Sequence, residues 1–274
     1  MSRVLSRMVR WGLTAVAVVV AIYPLLFMIQ TSVRTQMDFL VGGLWKLPTQ
    51  PVWSHYADVL RAGFVRYLAN TSLVAGASVL AIAAFGAMAA YVLARFRLRG
   101  LRLLFVLFVG GMLIPVHITL IPVYVLTRVL RLYDSLLGLI GPYVAFNLPV
   151  TIFILTGFFR DFPVELEEAA AIDGCSTARA FWSVVLPLSG PPLLTVVVYN
   201  LVILWNEFIF ALVLTSSPSR WILTLGLWNF QGQYGLNVPA IMASVALSVL
   251  PLIVLYLIGQ EKVMRGMLGG ALKG

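Results

Sequence analysis

Six long apolar segments, separated by more polar stretches, constrain the fold of this chain more than any other feature. They cover residues 11–31, 67–94, 103–126, 136–159, 190–214 and 239–260. Each is longer than the roughly 20 apolar residues that a helix needs to cross the hydrocarbon core of a bilayer. Charged residues make up only 11% of the 274 residues, against about 25% in soluble proteins. The sequence therefore predicts one all-α polytopic membrane domain, residues 1–274, with six transmembrane helices, and excludes a soluble globular fold.

The distribution of basic residues predicts the orientation of these helices. If the N-terminus lies inside, twelve of the nineteen Lys and Arg residues fall on the inner side and seven on the outer side. The densest group, Arg95, Arg97, Arg99 and Arg102, then follows the second helix on the inner side. Lys and Arg are enriched in cytoplasmic loops, so we expect both termini to lie in the cytoplasm. The same enrichment explains the net charge of +9 without a nucleic-acid partner.

Residues 160–189, between the fourth and fifth apolar segments, hold half of the ten acidic residues of the chain. These are Asp161, Glu165, Glu167, Glu168 and Asp173. A proline followed by acids suits the first turn of a helix, and Gly174 suits the left-handed residue that ends one. A second helix over 177–186 would end at Pro187. The sequence thus predicts a helix–glycine–helix hairpin whose first helix covers 163–172.

The first helix of this hairpin carries small and acidic side chains. Ala169, Ala170 and Ala171 give it a face without bulk, and Glu165 and Glu168 flank that face one turn apart. A helix that lies on a membrane surface would carry Lys and Arg on its polar face, because inner leaflets are anionic. The acidic face therefore favours docking into a cleft of a partner protein over binding to lipid.

The hairpin resembles the EAA loop of permease subunits of binding-protein-dependent ABC importers. That loop reads E-A-A, three residues, G, nine residues, I-x-L-P. The chain has Glu168-Ala169-Ala170, Gly174 and Val184-Val185-Leu186-Pro187 at the same spacings, with valine in place of isoleucine. The resemblance implies a type I ABC importer permease fold whose cytoplasmic coupling loop, residues 160–189, docks on an ATPase subunit. The residues implied in ATPase coupling are Glu165, Glu168, Ala169, Ala170, Asp173, Gly174, Leu186 and Pro187.

Other segments resemble the carbohydrate branch of that family, in particular the six-span second permease of maltose and multiple-sugar importers. These segments are residues 171–174, 205–208, 232–235 and 265–274. The resemblance implies a subunit of a bacterial or archaeal cytoplasmic membrane that helps to move an oligosaccharide or related sugar inward. It implies three partners: a second homologous permease, an ATPase dimer and an extracytoplasmic solute-binding protein.

The same resemblance implies contacts for two further segments, residues 221–234 and the C-terminal tail. The aromatic segment 221–234 is expected to touch the binding protein, with a belt at the lipid interface as the alternative. The glycine-rich tail, residues 266–274, is expected to pack against the ATPase subunits, although its composition alone suggests disorder.

The sequence lacks the motifs of an ATP-hydrolysing or metal-binding protein. No G-x-x-x-x-G-K-[ST] loop occurs, so the chain is not expected to bind ATP by such a loop. Neither His55 nor His117 has a second ligand at metal-binding spacing. We predict a non-catalytic permease subunit with no cofactor or metal of its own, and with ATP and Mg²⁺ bound by the partner ATPase.

One acidic residue, Glu207, lies well inside an apolar segment. Placing a carboxylate inside a membrane costs free energy, and such groups usually face a cavity or a partner. Asn200 and Asn206 lie within two helical turns of Glu207. We predict that Asn200, Asn206 and Glu207 face the translocation path, with Trp205 turned toward a neighbouring helix or the rim. The alternative is that Glu207 only bonds a neighbouring helix or reaches water.

Three other functions compete with a sugar permease. An ion-coupled secondary transporter would ordinarily use several intramembrane ionisable groups, and a single glutamate is weak support for one. An intramembrane enzyme would need a nucleophile motif or a paired His/Asp group, which the apolar segments lack. An ABC permease for glycerol-phosphate or polyol substrates would share the motifs described above.

Overall fold

The computed structural model describes the backbone of residues 2–234 and 237–271 and the side chains of residues 6–228 and 237–257. Within these ranges the chain forms helices and no strand. The α-helices are α1 (Ser2–Ser32), α2 (Gln36–Gly42), α3 (Ser54–Arg61), α4 (Phe64–Arg95), α5 (Leu101–Gly111), α6 (Val116–Val129), α7 (Leu137–Asp161), α8 (Glu165–Ile172), α9 (Thr177–Ala180), α10 (Leu186–Leu188), α11 (Gly190–Trp205), α12 (Ile209–Leu214), α13 (Leu223–Tyr234) and α14 (Val238–Ala271). A π-helical turn covers Phe181–Val185, and a 3₁₀ turn covers Pro218–Arg220.

Four of the described helices, α1, α4, α7 and α14, are long and apolar enough to cross a membrane. Two bent pairs bring the number of candidate spans to six. The first pair, α5 and α6, bends by 101°, and the second joins Thr177–Leu188 to Gly190–Trp205 with a bend of 75°. The chain is thus an all-α membrane protein. One of the two bends lies inside the predicted segment 103–126, and the other lies at Ser189, where the hairpin meets the segment that begins at residue 190.

The bend between α5 and α6 has a local cause. Helix α5 ends at Gly111, and Pro115 is the extended residue that precedes α6. Proline has no N–H to donate, and its ring disfavours helical backbone at the residue before it. The predicted span over 103–126 is therefore two helices joined by a turn.

Two compact units divide the chain: one comprises the described parts of Met1–Val65 and Gly226–Ile253, the other those of Arg66–Leu225 and Val254–Gly274. In the first unit, the guanidinium of Arg34 is fully buried and organises the segment after α1. Its Nε donates to the Asp38 carboxylate at 3.1 Å, and its Nη atoms donate to the carbonyls of Asp38 and Gly43. These bonds fix α2 against the end of α1.

The second unit is built around α7. One end of α7 packs Leu139 and Tyr143 against α4, α11 and α12. The other end packs Leu155 and Phe159 against small residues of α4 and against the segment that leads into α11. Gly86 of α4 allows a close approach, because a Cβ there would lie 2.6 Å from Cγ2 of Thr151.

Gly138, in the first turn of α7, supports a stability prediction. A Cβ at this position would lie 2.3 Å from the carbonyl oxygen of Leu132, a backbone atom that cannot rotate away. We expect Gly138→Ala to lower the free energy of unfolding by about 1–3 kcal/mol, the usual cost of overpacking. Gly141→Ala is the matched control, because a Cβ at Gly141 meets nothing within 4 Å. Thermal unfolding of the purified variants in detergent measures the effect, and equal stability of the two variants would contradict the steric account.

Asp134, in the connection between α6 and α7, joins two loops. Its carboxylate accepts hydrogen bonds from the backbone amides of Ser216 and Ser217, both at 2.9 Å, and from the Ser217 hydroxyl. Its own backbone amide donates to the carbonyl of Leu214 at 2.9 Å. Burial acts to raise the pKa of Asp134, but the hydrogen bonds from Ser217 and Ser216 outweigh it, so the pKa is lowered.

The lowered pKa of Asp134 predicts a pH-dependent contribution to stability. A carboxyl whose pKa is lower in the folded state stabilises the fold above its unfolded pKa, about 3.9 for Asp. That contribution is lost as the pH falls through the folded-state pKa. We therefore expect Asp134→Asn to lower the unfolding temperature near pH 7. Between about pH 5 and pH 3, the unfolding temperature of the variant should depend less steeply on pH than that of the natural protein. Unfolding scans across that range measure the difference, and parallel curves for the variant and the natural protein would refute it.

Candidate functional site

Residues 160–189 form the helix–glycine–helix hairpin that the sequence predicts. Helix α8 covers Glu165–Ile172, and Gly174 has a φ of 82°, in the left-handed region that favours glycine. Ser176 caps the second helix by accepting a hydrogen bond from the backbone amide of Arg179. The prediction of a helix–glycine–helix hairpin in this segment is confirmed.

The ends of the two hairpin helices differ from the prediction. Helix α8 begins at Glu165 rather than at Pro163. The second helix continues past Pro187 to Leu188 before it bends. A π-helical turn immediately before Leu186 explains why the helix does not end at the proline. Such a turn relaxes the regular i to i−4 ladder that a proline would otherwise break.

The hairpin exposes most of the residues that the resemblance assigns to coupling. Glu165, Glu168, Ala169, Asp173, Gly174 and Pro187 are exposed, and Leu186 is half-buried. Ala170 is the exception, because it is only 7% exposed and faces the interior. The prediction that Ala170 belongs to an outward small-residue face is wrong: it follows Glu167 by three residues and so shares the inward side of α8.

Ile172, at the end of α8, is a feature of the exposed surface that the sequence analysis missed. Its side chain is 86% exposed. It lies one turn after the exposed Glu168 and directly before the exposed Asp173, the residue at which α8 ends. A branched apolar side chain in that position is expensive to leave in water. The exposed face of α8 therefore combines one apolar side chain, Ile172, with acidic side chains around it.

The inward face of α8 is tied to the end of α4 by a group of charged and polar side chains. Oε1 of Glu167 accepts from Arg95 Nε at 2.6 Å, and Oε2 accepts from the Tyr91 hydroxyl at 2.6 Å. Arg95 also donates to the carbonyl of Phe162 at 2.6 Å. We call Tyr91, Arg95 and Glu167 the α4–α8 clamp. The sequence analysis missed it, since the partners are more than 70 residues apart and no local spacing joins them.

Aromatic side chains surround the α4–α8 clamp. The Arg95 guanidinium lies 5.9 Å from the Phe162 ring centroid, and the rings of Tyr91 and Phe181 are 4.9 Å apart. Phe162, Phe181 and Tyr91 are all buried in the same apolar cluster. The hairpin is therefore held on the bundle by both packing and charge-assisted hydrogen bonds.

The second group of predicted site residues lies at a break in the fifth apolar segment. Helix α11 ends at Trp205, and α12 begins at Ile209. The Glu207 carboxylate accepts from the backbone amide of Phe210 at 2.7 Å and from the Tyr143 hydroxyl at 2.5 Å. Its own carbonyl accepts from the Thr224 hydroxyl at 2.5 Å. Glu207 thus satisfies otherwise unpaired amides at the start of α12 and links the break to α7.

The three residues predicted to face the translocation path do not share one face. Asn200 is 1% exposed and donates to the Thr151 hydroxyl of α7 at 2.9 Å. Glu207 also faces α7, through Tyr143, whereas Asn206 is exposed and donates back to the carbonyl of Val202. The prediction assumed one continuous helix over these positions, and the end of α11 at Trp205 removes that periodicity.

No group of His, Cys, Asp or Glu side chains that could hold a metal ion occurs among the described residues. The side chains of Phe230 and of the segment 232–234, and all of Gly235, lie outside the described residues, as do the side chains of the tail from Gly266 onward and residues 272–274 entirely. The expectation for tail packing therefore falls on side chains that the structure does not describe. The expectation of a binding-protein contact over 221–234 does so only in part, since the side chains of residues 221–228 are described and that of Trp228 is exposed.

Comparison with known proteins gives the family. Residues 82–268 match the model of the binding-protein-dependent transport system inner membrane component. The chain is 50% identical over 260 residues to a putative ABC transporter permease of a Caldicellulosiruptor strain, covering 95% of this chain and 94% of that protein. It is 32% identical over 248 residues to a diacetylchitobiose uptake system permease of Streptomyces coelicolor, covering 89% and 82%.

A solved structure supports the same assignment. A chain of a bacterial ABC transporter involved in the import of the acidic polysaccharide alginate superposes with a TM-score of 0.80 at 25% sequence identity, covering 95% of this chain and 97% of that one. Together with the matched family model, the helical bundle and the EAA hairpin, this likeness identifies the protein. The chain belongs to the binding-protein-dependent transport system inner membrane component family and is a non-catalytic, multi-pass permease subunit of an ABC transporter.

Proposed function

We propose that this permease imports a carbohydrate, an oligosaccharide or a related sugar, powered by ATP hydrolysis on a separate ATPase dimer. Its other partners are a second, homologous permease and an extracytoplasmic binding protein, in the cytoplasmic membrane of a bacterium or archaeon. The relatives support the substrate class, because one is named for diacetylchitobiose uptake and the superposed structure for alginate import. ATP and Mg²⁺ bind the ATPase subunits in this proposal, and this chain carries no cofactor.

The exposed face of α8 is the observation on which the ATPase partnership chiefly rests. Glu165, Glu168 and Asp173 give it negative charge, and Ile172 gives it an apolar tip. Such a face suits a cleft with an apolar floor and a basic rim, where charge complementarity sets the register of docking. Closure of the ATPase dimer on ATP would then displace the hairpin and reorient the membrane helices.

Charge reversal on this face tests the partnership. We expect Glu168→Lys to reduce ATP-driven sugar uptake by about tenfold or more, because like charges at an interface oppose docking. The assay uses proteoliposomes that hold the complete transporter. Asp161→Lys is the matched control, since Asp161 is also exposed and acidic but ends α7 outside the docking helix. Equal uptake by the Glu168→Lys variant and the natural protein would refute docking through this face.

The polar residues at the break after α11 provide the proposed substrate path. In this proposal the exposed Asn206 presents its amide to the sugar, and Asn200 and Glu207 hold the break in place from the α7 side. Cysteine substitutions at positions 200 and 206, in a Cys175→Ser background, test it with a membrane-impermeant thiol reagent. We expect labelling at 206 that the sugar-loaded binding protein alters, and none at the buried position 200. Labelling at 200 with none at 206 would reverse the assigned face.

A further inference from the structure

The α4–α8 clamp lies on the side of α8 that points away from the proposed ATPase partner. Glu167 stands between the exposed Glu165 and Glu168 in sequence, but its side chain is only 14% exposed and that of its partner Arg95 only 15%. Both carboxylate oxygens of Glu167 are occupied within this chain, one by Arg95 and the other by Tyr91. A partner that covers the exposed face of α8 would not need to touch these groups.

Helix α8 is connected to α4 through side chains, whereas the chain itself connects α8 to its other neighbours. The chain itself connects α8 to α7 through residues 162–164, and to the α9–α11 segment through the turn at Gly174. It is connected to the end of α4 through side chains, although the two helices are about 70 residues apart in sequence. Any rigid movement of α8 must therefore either break the hydrogen bonds of the clamp or carry the end of α4 with it.

We propose that the α4–α8 clamp transmits the displacement of α8 to the long helix α4, and that Tyr91, Arg95 and Glu167 are positioning residues of the transport cycle. The inference rests on the proposed ATP-driven function. Charge-assisted hydrogen bonds are roughly twice as strong as neutral ones, and these are short and partly shielded from water. Helix α4 is 32 residues long and packs along α7. Movement of its end would thereby reach the apolar contacts that α4 makes with α7.

This role predicts that the clamp variants separate ATP hydrolysis from transport. In the complete transporter, Glu167→Gln and Arg95→Gln should each reduce sugar uptake about tenfold, on the scale of one hydrogen bond to a charged group. ATP hydrolysis should continue, because the exposed acids of α8 remain intact and α8 remains docked. The loss in the double variant should be clearly smaller than the product of the two single losses, because both substitutions remove the same ion pair between Arg95 and Glu167. A merely structural role would lower uptake and hydrolysis together, in proportion to the amount of assembled complex.

Two further variants keep the test decisive. Tyr91→Phe removes one hydrogen bond of the clamp and keeps the ring against Phe181. Uptake by this variant should fall about fivefold. It provides a test even if the Arg95 variant fails to assemble. Arg97→Gln is the control, because Arg97 is exposed two residues beyond Arg95, and it should leave uptake unchanged.

The outcomes separate this inference from the proposed function. If the natural complex shows no ATP-dependent uptake, the proposed function fails. If the natural complex transports but the clamp variants match it, or lose uptake and ATP hydrolysis in parallel, transmission through the clamp is refuted. Additive losses in the double variant would also contradict it.

Discussion

Replacing Gly174 by valine should reduce ATP-driven uptake by about tenfold or more. Gly174 has a φ of 82°, where a residue with a Cβ costs roughly 1–2 kcal/mol and a β-branched residue costs more. A Cβ there would meet nothing within 4 Å, so the effect comes from backbone strain and not from a clash. The hairpin would relieve the strain by changing its turn, and α8 would no longer be presented in register with its partner.

A matched pair of substitutions separates backbone strain from loss of a small side chain. Asparagine tolerates the left-handed region better than most residues, so Gly174→Asn should retain most of the uptake that Gly174→Val loses. Uptake assays on equal amounts of assembled complex measure both variants. If asparagine and valine are equally harmful, the positive φ is not the reason for glycine at this position.

Replacing Glu207 by leucine should destabilise the permease by about 3 kcal/mol. The substitution removes the acceptor for the Phe210 amide and leaves the buried Tyr143 hydroxyl without its partner. A buried polar group left unsatisfied costs about 1–3 kcal/mol, and loss of a helix cap costs about 1 kcal/mol. The break between α11 and α12 would then lose both its cap and its link to α7.

Two milder substitutions at the same contact define the mechanism. Glu207→Gln keeps an acceptor oxygen for the Phe210 amide, and Tyr143→Phe removes only the hydroxyl, so both should cost less than leucine. Chemical or thermal unfolding of the purified protein in detergent ranks the three variants. A leucine variant as stable as the natural protein would show that Glu207 has no structural role and would favour a direct role in the substrate path.

Local sequence rules predicted much of this protein, and their limits have a physical explanation. The apolar segments and the hairpin at Gly174 follow from helix length, capping and the left-handed preference of glycine, all of which are read within a few residues. The break at Asn206–Phe208 has no proline or glycine to announce it. It depends on Glu207 and Tyr143, which are 64 positions apart, and such pairing is not encoded in local spacing.

For the exposed face of α8, too, the local sequence predicts only part of what the structure shows. The sequence indicated an acidic, small-residue helix, but it gave no reason to separate Glu167 from Glu168. Only the contact with Arg95 and Tyr91 shows that Glu167 faces the bundle while Glu168 faces outward. Basic residues near the ends of membrane spans are topology signals, and the sequence alone assigns Arg95 no further role. The structural role of Arg95 depends on its contact with Glu167, 72 residues away.

The central claim, that this permease moves a sugar by coupling α8 to an ATPase, is tested most directly by uptake in a reconstituted system. Proteoliposomes would contain this chain with its partner permease and ATPase subunits, and would receive radiolabelled sugar bound to the binding protein. The account predicts accumulation that requires ATP on the ATPase side, persists when ion gradients are collapsed, and is lost in the Glu168→Lys variant. Accumulation that follows an ion gradient without ATP, and is unchanged by Glu168→Lys, would contradict it.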